Sequence, residues 1–555
     1  MTNLALALSD LGRATGEIEP ALQAVGVAQA ASSCATAVPS HALRALTTWG
    51  RLAAEANDWR RAAGAFGRAM GLLPMAVPRN LTRLDLEHQL QDIAHLVGDA
   101  VAAAIEIGEP ESAMEYLEQG RAVLLTYAFD SRLEVPELRE QDPELADEWE
   151  RLRDQIDGVT SLAEAGLHPE QRFRVLEKYN DLIARIRTIP GMERFMAPAS
   201  IAELRTAAMD GPIINLNVSE YRCDALILTP AKMQVVPLPE IKKSILESRV
   251  SGFLKAIRQI EDEAATSDDR RDAEAEIHKI LAWLWDGTVS PIMDALGYIA
   301  APSADQAWPH IWWSPTDLFS FLPLHAAGHH REDHRTTLDR VISSYTPSIR
   351  ALGHVRQRPA AGSAPLRLLS VGLPDVPGVP PLPGAEVEAQ RVADLTGGEQ
   401  PLTSARANRG AVLTALHWAT WTHLACHTRL DLSTPSASGL LLRDGLLSVT
   451  ELSELNLDRA ELAYLSACST ARGDRRLVNE SIHIASAFQI AGYRDVIATL
   501  WTVLDETSTD IADGFYRALL AEEKPAKALH LAVRRMREEY PNFSSVWAAY
   551  IHVGA

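Results

Sequence analysis

Two short apolar runs, each stopping at a reactive side chain, constrain this chain more than any other feature. The first, WTHLACHT, carries His427 at its C-terminal edge, and the second, ELAYLSACST, carries Cys468, 41 positions later (468 − 427). Both runs are β-prone and of strand length. Adjacent parallel strands present their C-terminal ends on one rim, and open α/β sheets bind ligands at that rim. A thiol and an imidazole meeting there are the two parts of a cysteine nucleophile: the base takes the thiol proton and the thiolate attacks an acyl carbon.

The text around these runs alternates between strand and helix. After the Pro/Ala/Gly stretch RQRPAAGSAP at 356–365 come the strand LRLLSVG, the helices GAEVEAQRVADLT and RANRGAVLTAL, the His427 strand, the Cys468 strand, the helix SIHIASAFQIAG and the strand DVIATLW. That order predicts a mostly parallel sheet with helices on both faces. Upstream, PIINLNVS, DALILTP and MQVVPLP predict a meander, and HIWWSP a buried strand. KSILESRVSGFLKAIRQI and EAEIHKILAWLWDGTVSPIMDAL between them read as helices, as do FYRALL and ALHLAVRRMREEY near the end.

The first third is rich in Ala, Leu, Glu and Arg and predicts helices throughout. Over 43–76 the spacing resembles a tetratricopeptide repeat, with Leu46, Trp49, Gly50 and Ala53 on one helix, Ala62, Phe66 and Ala69 on the next, and Pro74 ending the unit. Small residues at Gly50 and Ala62 let two antiparallel helices approach closely. A weaker copy runs through Val101, Ala104, Ala113, Leu117 and Gly120; a plain helical bundle accounts for the same residues. From 134 the text turns charged but keeps a helical period, which predicts a helical hairpin broken at Pro190–Gly191. The expected division is a tetratricopeptide-like helical domain at 1–133, a hairpin linker at 134–199, and two α/β subdomains at 200–360 and 361–555.

Composition narrows the function classes. The net charge of −20 (53 basic against 73 acidic residues) argues against a nucleic acid or an anionic membrane as the main partner. Cys34, Cys223, Cys426 and Cys468 form no paired framework, and the N-terminus MTNLALALSD lacks a basic region followed by an apolar one, so a reducing cytoplasmic setting is expected. No window reaches the roughly 18 to 20 uninterrupted apolar residues of a membrane span. There is no G-x-x-x-x-G-K-[ST] or G-x-G-x-x-G loop, so no nucleotide or other cofactor is expected. His423, Cys426 and His427 lie too close on one strand to converge on a metal without a distant second pair, and His329, His330 and His334 in GHHREDH read as a solvated loop.

Within the candidate site, Cys468 ends its apolar run and is followed by the polar turn Ser469–Thr470–Ala471–Arg472–Gly473, which predicts exposure at the rim. Arg472, Arg475 and Arg476 would favour the thiolate. His423 shares a strand face with His427, but only His427 stands at the end of the run; His423 is expected to pack within the sheet.

These residues resemble the CHAT domain, a caspase-like peptidase module of the same broad clan as caspases and separase. LACHT resembles that family's histidine box and LSACST its nucleophile box; NESIHIASAFQIAGYRDVIATLWTVLDE and the terminal WAAYIHVGA resemble the blocks that follow. SPTDLFSFLPLHA and SSYTPS resemble the pseudo-caspase half, and EQGRAVLL at 118–125 the segment that follows the repeats in such proteins. The resemblance implies an α-helical repeat or bundle domain followed by an α/β caspase-like domain, with a pseudo-caspase half and a catalytic half built on a mostly parallel sheet. It implies peptide-bond hydrolysis, with Cys468 as nucleophile, His427 as general base and acid, and the backbone N–H groups of Cys468 and Thr428 as the oxyanion hole. Thr428 and Ala471 depart from the family, which usually has glycine at both positions, and a Cβ at Thr428 restricts the backbone where a donor must point inward. Asp505 would line the pocket for a basic side chain of the substrate or, equally, cap the helix that begins there, and Ser466 leaves its own position neutral, so cleavage after a basic or long unbranched residue is expected.

The expected partners are therefore a protein or peptide substrate and a protein regulator held by the N-terminal helices, in a setting such as bacterial defence or cell-death signalling. The alternative is an interaction scaffold that keeps the caspase-like fold without catalysis. An acyl transferase would use the same dyad, but nothing in the sequence supplies a coenzyme site.

Overall fold

In a computed structural model of the chain, the Ala- and Leu-rich N-terminal text folds into paired helices: α1 (Thr2–Thr15), α2 (Ile18–Ser32), α3 (Pro39–Glu55), α4 (Trp59–Ala76), α5 (Arg83–Glu106) and α6 (Pro110–Arg121). The structure describes all residues except 1, 16–17, 33–38, 77–82, 122–137, 163–177, 180, 196–198, 263, 304, 333–334, 359–364, 377–378, 380, 430–437, 467–483 and 504. Two compact units result, residues 1–201 with 219–221, and residues 202–218 with 222–555.

In the first unit, the small residues fall where helices cross. A Cβ on Gly50 would stand 2.5 Å from a ring carbon of the buried Phe66, and one on Gly120 would collide with Val97. Only glycine permits these approaches of α3 to α4 and of α6 to α5. Pro74 does not end its helix; α4 runs on to Ala76. Pro74 has no N–H to give to Met70 O four residues earlier. Gln119 Nε2 donates to that carbonyl instead, at 3.0 Å, so the missing helical bond is replaced from a neighbouring helix. The charged text after 134 hides a small core of its own. Leu138, Trp149 of α7 (Pro143–Leu162), Tyr179, Leu182, Ile186 and Phe195 bury together, with Trp149 edge-on to Phe195.

The second unit is built on one sheet. Among the described residues it has eleven strands in the order β3-β2-β1-β4-β5-β14-β13-β12-β8-β6-β7. Strands β1 (Ile213–Val218), β2 (Cys223–Leu228) and β3 (Met233–Pro237) form the expected antiparallel meander. Strands β4 (His310–Ser314) and β5 (Ile342–Tyr345) run parallel to β1. The catalytic half expected from the sequence contributes β6 (Leu368–Gly372), β7 (Leu402–Thr403), β8 (Trp421–Ala425), β12 (Leu462–Leu465) and β13 (Asp495–Thr499), all mutually parallel. A parallel pair needs a long crossover, and α10 (Ala385–Thr396), α11 (Arg409–Leu416), α12 (Val449–Glu454) and α13 (Ile484–Ala491) lie between these strands, as do α8 (Lys243–Glu261) and α9 (Ser267–Leu284) between β3 and β4. Helices α14 (Asp505–Leu520) and α15 (Pro525–Glu539) follow β13. The fold class is thus a helical N-terminal region followed by a mostly parallel α/β module.

The last strand, β14 (Tyr550–Gly554), joins the two halves. It pairs antiparallel with β13 along its length, but parallel with β5 only at Val553↔Tyr345. Side chains supply what that short ladder lacks. Trp312 Nε1 donates to Gly554 O at 2.8 Å. A polar chain crosses four strands: His310 Nε2 is 2.6 Å from Ser344 Oγ, Ser344 Oγ is 2.6 Å from His552 Nδ1, and His552 Nε2 is 2.8 Å from Asp495 Oδ1. Beside β5, His325 Nδ1 lies 2.9 Å from Tyr345 OH, and burial pushes the His325 ring down to about 3. The GHHREDH stretch departs from the expected solvated loop. His330 Nε2 donates to Ala326 O at 2.8 Å and its ring packs against Trp547, while His329 Nε2 lies 2.9 Å from Asp286; His334 is outside the described residues.

Candidate active site

Strands β6, β8, β12 and β13 end on one rim because all four run the same way. Register between β8 and β12 is set by Tyr464↔His423 and Leu465↔Leu424. His427 stands two residues past the end of β8 and is buried. Ser466 is the first residue past β12 and is also buried. Cys468 lies outside the described residues, as do Arg472, Arg475 and Arg476. In the numbering, Cys468 stands three positions after Leu465 and His427 three after Leu424, the two residues that pair. Asp505 is the first residue of α14, and its side chain is outside the described residues.

A second, three-stranded antiparallel sheet adjoins the rim: β9 (Thr428–Arg429), β10 (Gly439–Leu442) and β11 (Gly445–Ser448). Leu441 N–H donates to His427 O at 2.8 Å, and Thr428 pairs with Leu440. Hydrogen-bonded and non-hydrogen-bonded pairs alternate in an antiparallel ladder. His427 therefore occupies the hydrogen-bonded position, and the backbone N–H and C=O of Thr428 are turned away from β10. Thr428 has strand conformation and is not among the described residues with positive φ, which are Asn57, Asp317, Ser404 and Glu522 apart from glycines. The restriction expected from a Cβ at this position does not arise, because any residue adopts extended backbone.

His423, as expected, is packed inside. It is fully buried, stacks on Tyr464 at 5.1 Å, and has Tyr516 OH 3.3 Å from its Nδ1. Its Nε2 lies 3.1 Å from Glu388 Oε1, and Glu388 Oε2 accepts from Ser508 Oγ at 2.8 Å. Burial, with the Glu388 charge adding to it, raises the Tyr516 hydroxyl well above its usual range. Glu388, Ser508, Tyr464 and Tyr516 are not singled out by sequence reasoning. Glu388 leaves one signal: with Ala385, Ala389, Val392 and Ala393 it lies on the buried face of α10, an acid in an apolar stripe. Cys426 and Cys223 are buried thiols, and Cys34 is outside the described residues. Among the described residues no group of three or more His, Cys, Asp or Glu side chains is placed to hold a metal ion, and no helix is long and apolar enough to cross a membrane.

Tetratricopeptide repeat protein 28 of Mus musculus is 27% identical over 261 residues, covering 38% of this chain and 10% of that protein. Its Homo sapiens counterpart is 27% identical over 259 residues with the same coverage. The chain thus spans about a tenth of the length of these relatives. Among solved structures, two crystal structures of the separase–securin complex of Saccharomyces cerevisiae superpose with TM-scores of 0.44 and 0.43 at 10% identity, covering 98% and 100% of this chain and 49% of the other. The CHAT domain matches residues 278–555, half of the sequence and the whole stretch from α9 to the final strand, and the chain belongs to that family.

Proposed function

We propose that the chain is a caspase-like cysteine endopeptidase whose nucleophile is Cys468 and whose general base and acid is His427. The observation that carries this reading is the β8–β12 register: two adjacent parallel strands lead to these residues from paired positions. In the reaction, His427 takes the thiol proton and the thiolate adds to the scissile carbonyl. The tetrahedral oxyanion is held by the N–H groups of Cys468 and Thr428; the outward turn of the Thr428 amide supports the second donor. Collapse expels the amine, which takes the proton from His427 and leaves a thioester. Water, deprotonated by His427, then hydrolyses the thioester and regenerates the thiol. Asp505 at the start of α14 favours a basic substrate side chain, and Ser466 leaves its own position neutral. The N-terminal helices bind a protein regulator, in a role such as defence or cell-death signalling.

The scaffold alternative rests on Thr428 and Ala471 in place of glycine; extended backbone at Thr428 favours the peptidase reading over it. The test is cleavage of a mixed-sequence peptide library by the full chain, wild type beside Cys468→Ala, read by mass spectrometry. Cleavage by wild type alone is expected, with a basic residue before the cut; equal digests from both proteins would sink the reading. Cys223 and Cys426 are buried and will alkylate slowly whatever Cys468 does. The informative thiol experiment is therefore the loss of Cys468 alkylation in His427→Ala.

A further inference from the structure

Glu388 is fully enclosed, and the chemistry proposed above does not use it. Its two oxygens reach two different elements. Oε1 lies 3.1 Å from His423 on β8, the strand that leads to His427, and Oε2 accepts from Ser508 at 2.8 Å. Ser508 is in the first turn of α14, three residues after Asp505. The carboxylate thus bridges the strand that carries the base and the helix turn that carries the specificity residue.

The helix that holds Glu388 is itself closely fixed. A Cβ on Gly372 of β6 would stand 2.6 Å from Ala385 O, so α10 lies almost on the strand, and Ser370 Oγ donates to Ala389 O at 2.9 Å. Farther along, α14 is held to α10 independently by Arg391 Nε, 2.8 Å from Asp513 Oδ1, and to β8 by Tyr516 against His423. Loss of the Ser508 bond therefore removes one tie to the first turn of α14 without undocking the helix. A carboxylate enclosed this way carries a large desolvation cost, and apolar packing of equal volume would hold helix to strand at least as well. What the carboxylate adds is direction at Ser508, whose hydroxyl must point at Oε2; Oε1 lies beside His423 Nε2 without making a hydrogen bond.

We propose that Glu388 is a positioning residue for substrate choice: through Ser508 it fixes the first turn of α14, and with it Asp505, relative to the strand that leads to His427. This rests on the peptidase reading.

The test uses the full chain and two peptides that differ only before the scissile bond, one with arginine and one with norleucine. The ratio of their kcat/KM values is measured in wild type, Ser508→Ala, Ser508→Thr and Glu388→Leu. The ratio is expected to fall about tenfold in Ser508→Ala and in Glu388→Leu, which has no acceptor, mainly through a higher KM for the arginine peptide, and to return in Ser508→Thr, which keeps the hydroxyl donor. A purely structural role would lower both peptides alike. An unchanged ratio in Ser508→Ala and Glu388→Leu overturns this proposal and leaves the peptidase intact, as does a wild type that cleaves both peptides equally well. A wild type with no Cys468-dependent cleavage overturns both.

Discussion

Replacing Ser344 with alanine tests what joins the two halves of the sheet. The β5–β14 ladder has one register pair, whereas the Ser344 hydroxyl touches rings from strands on both sides of it. A hydroxyl has one proton, so it donates to one ring nitrogen and accepts from the other. Alanine removes both bonds. It leaves His552 Nδ1, in a ring with no solvent exposure, without its partner, and does the same to His310 Nε2 in a half-buried ring. A buried polar group left unsatisfied costs about 1–3 kcal/mol, and the half-buried ring adds about 1 kcal/mol, so Ser344→Ala should destabilise by about 2–4 kcal/mol. Ser343→Ala on the same strand is the comparison. Its hydroxyl accepts from Trp313 Nε1 at 3.1 Å, in an indole with no solvent exposure, and its loss should cost about 1–3 kcal/mol. Urea unfolding at pH 7 gives both values, and in Ser344→Ala amide exchange should rise first in β5 and β14. A Ser344→Ala loss below about 0.5 kcal/mol would refute the reasoning.

Two further outcomes follow from packing and burial. Gly50→Ala places a methyl 2.5 Å from a ring carbon of the fully buried Phe66, and should cost the helical unit about 1–3 kcal/mol, measured by thermal melting; Gly26→Ala, where a Cβ meets nothing, should cost nothing or stabilise. Burial pushes both His325 and His530 down to about 3. The unfolded rings protonate near 6.5 while the folded rings stay neutral, so stability is lost as pH falls from about 6.5 towards 3, by about 1 kcal/mol per pH unit for each ring. Urea midpoints at pH 7.5, 6 and 5 should fall in that order, and His325→Gln should reduce the slope by about one proton.

How much of this was legible in the sequence depended on whether a feature was local. Strands β1 to β4, β6, β8, β12 and β13 were read from short apolar runs, and α8, α9, α10 and α11 from apolar periods, because both signals sit within the element itself. Strand β14 was matched as a block but not read as a strand: its run is only YIHVG, and the buried His552 breaks the apolar pattern. That histidine is tolerated because Ser344 and Asp495, distant in sequence, satisfy both of its nitrogens. The burial of His423 is legible from its place within the apolar run, but its partner Glu388 is not. They are 35 residues apart (423 − 388), and they meet only because α10 folds back over β6 and β8. The bond from Gln119 to Met70 O is illegible for a similar reason, since Gln119 comes from another helix.

Thr428 shows the converse, where a rule applied from sequence needed geometry to judge it. Glycine is the family's usual residue there, and the sequence argument is that a Cβ restricts the backbone that must aim an amide at the oxyanion. The bond from Leu441 N–H to His427 O puts Thr428 at the outward position of an antiparallel ladder. Its N–H is thus directed by pleat alternation, at ordinary strand φ and ψ. Restoring glycine should then yield no catalytic gain. Thr428→Gly should leave kcat/KM within about twofold of wild type, while the greater backbone freedom of glycine in a strand costs about 0.5–1 kcal/mol of stability. Measured on the peptide best cleaved by wild type, a tenfold rise in kcat would mean that threonine strains the oxyanion donor, and that extended backbone at Thr428 is not the conformation in which the enzyme works.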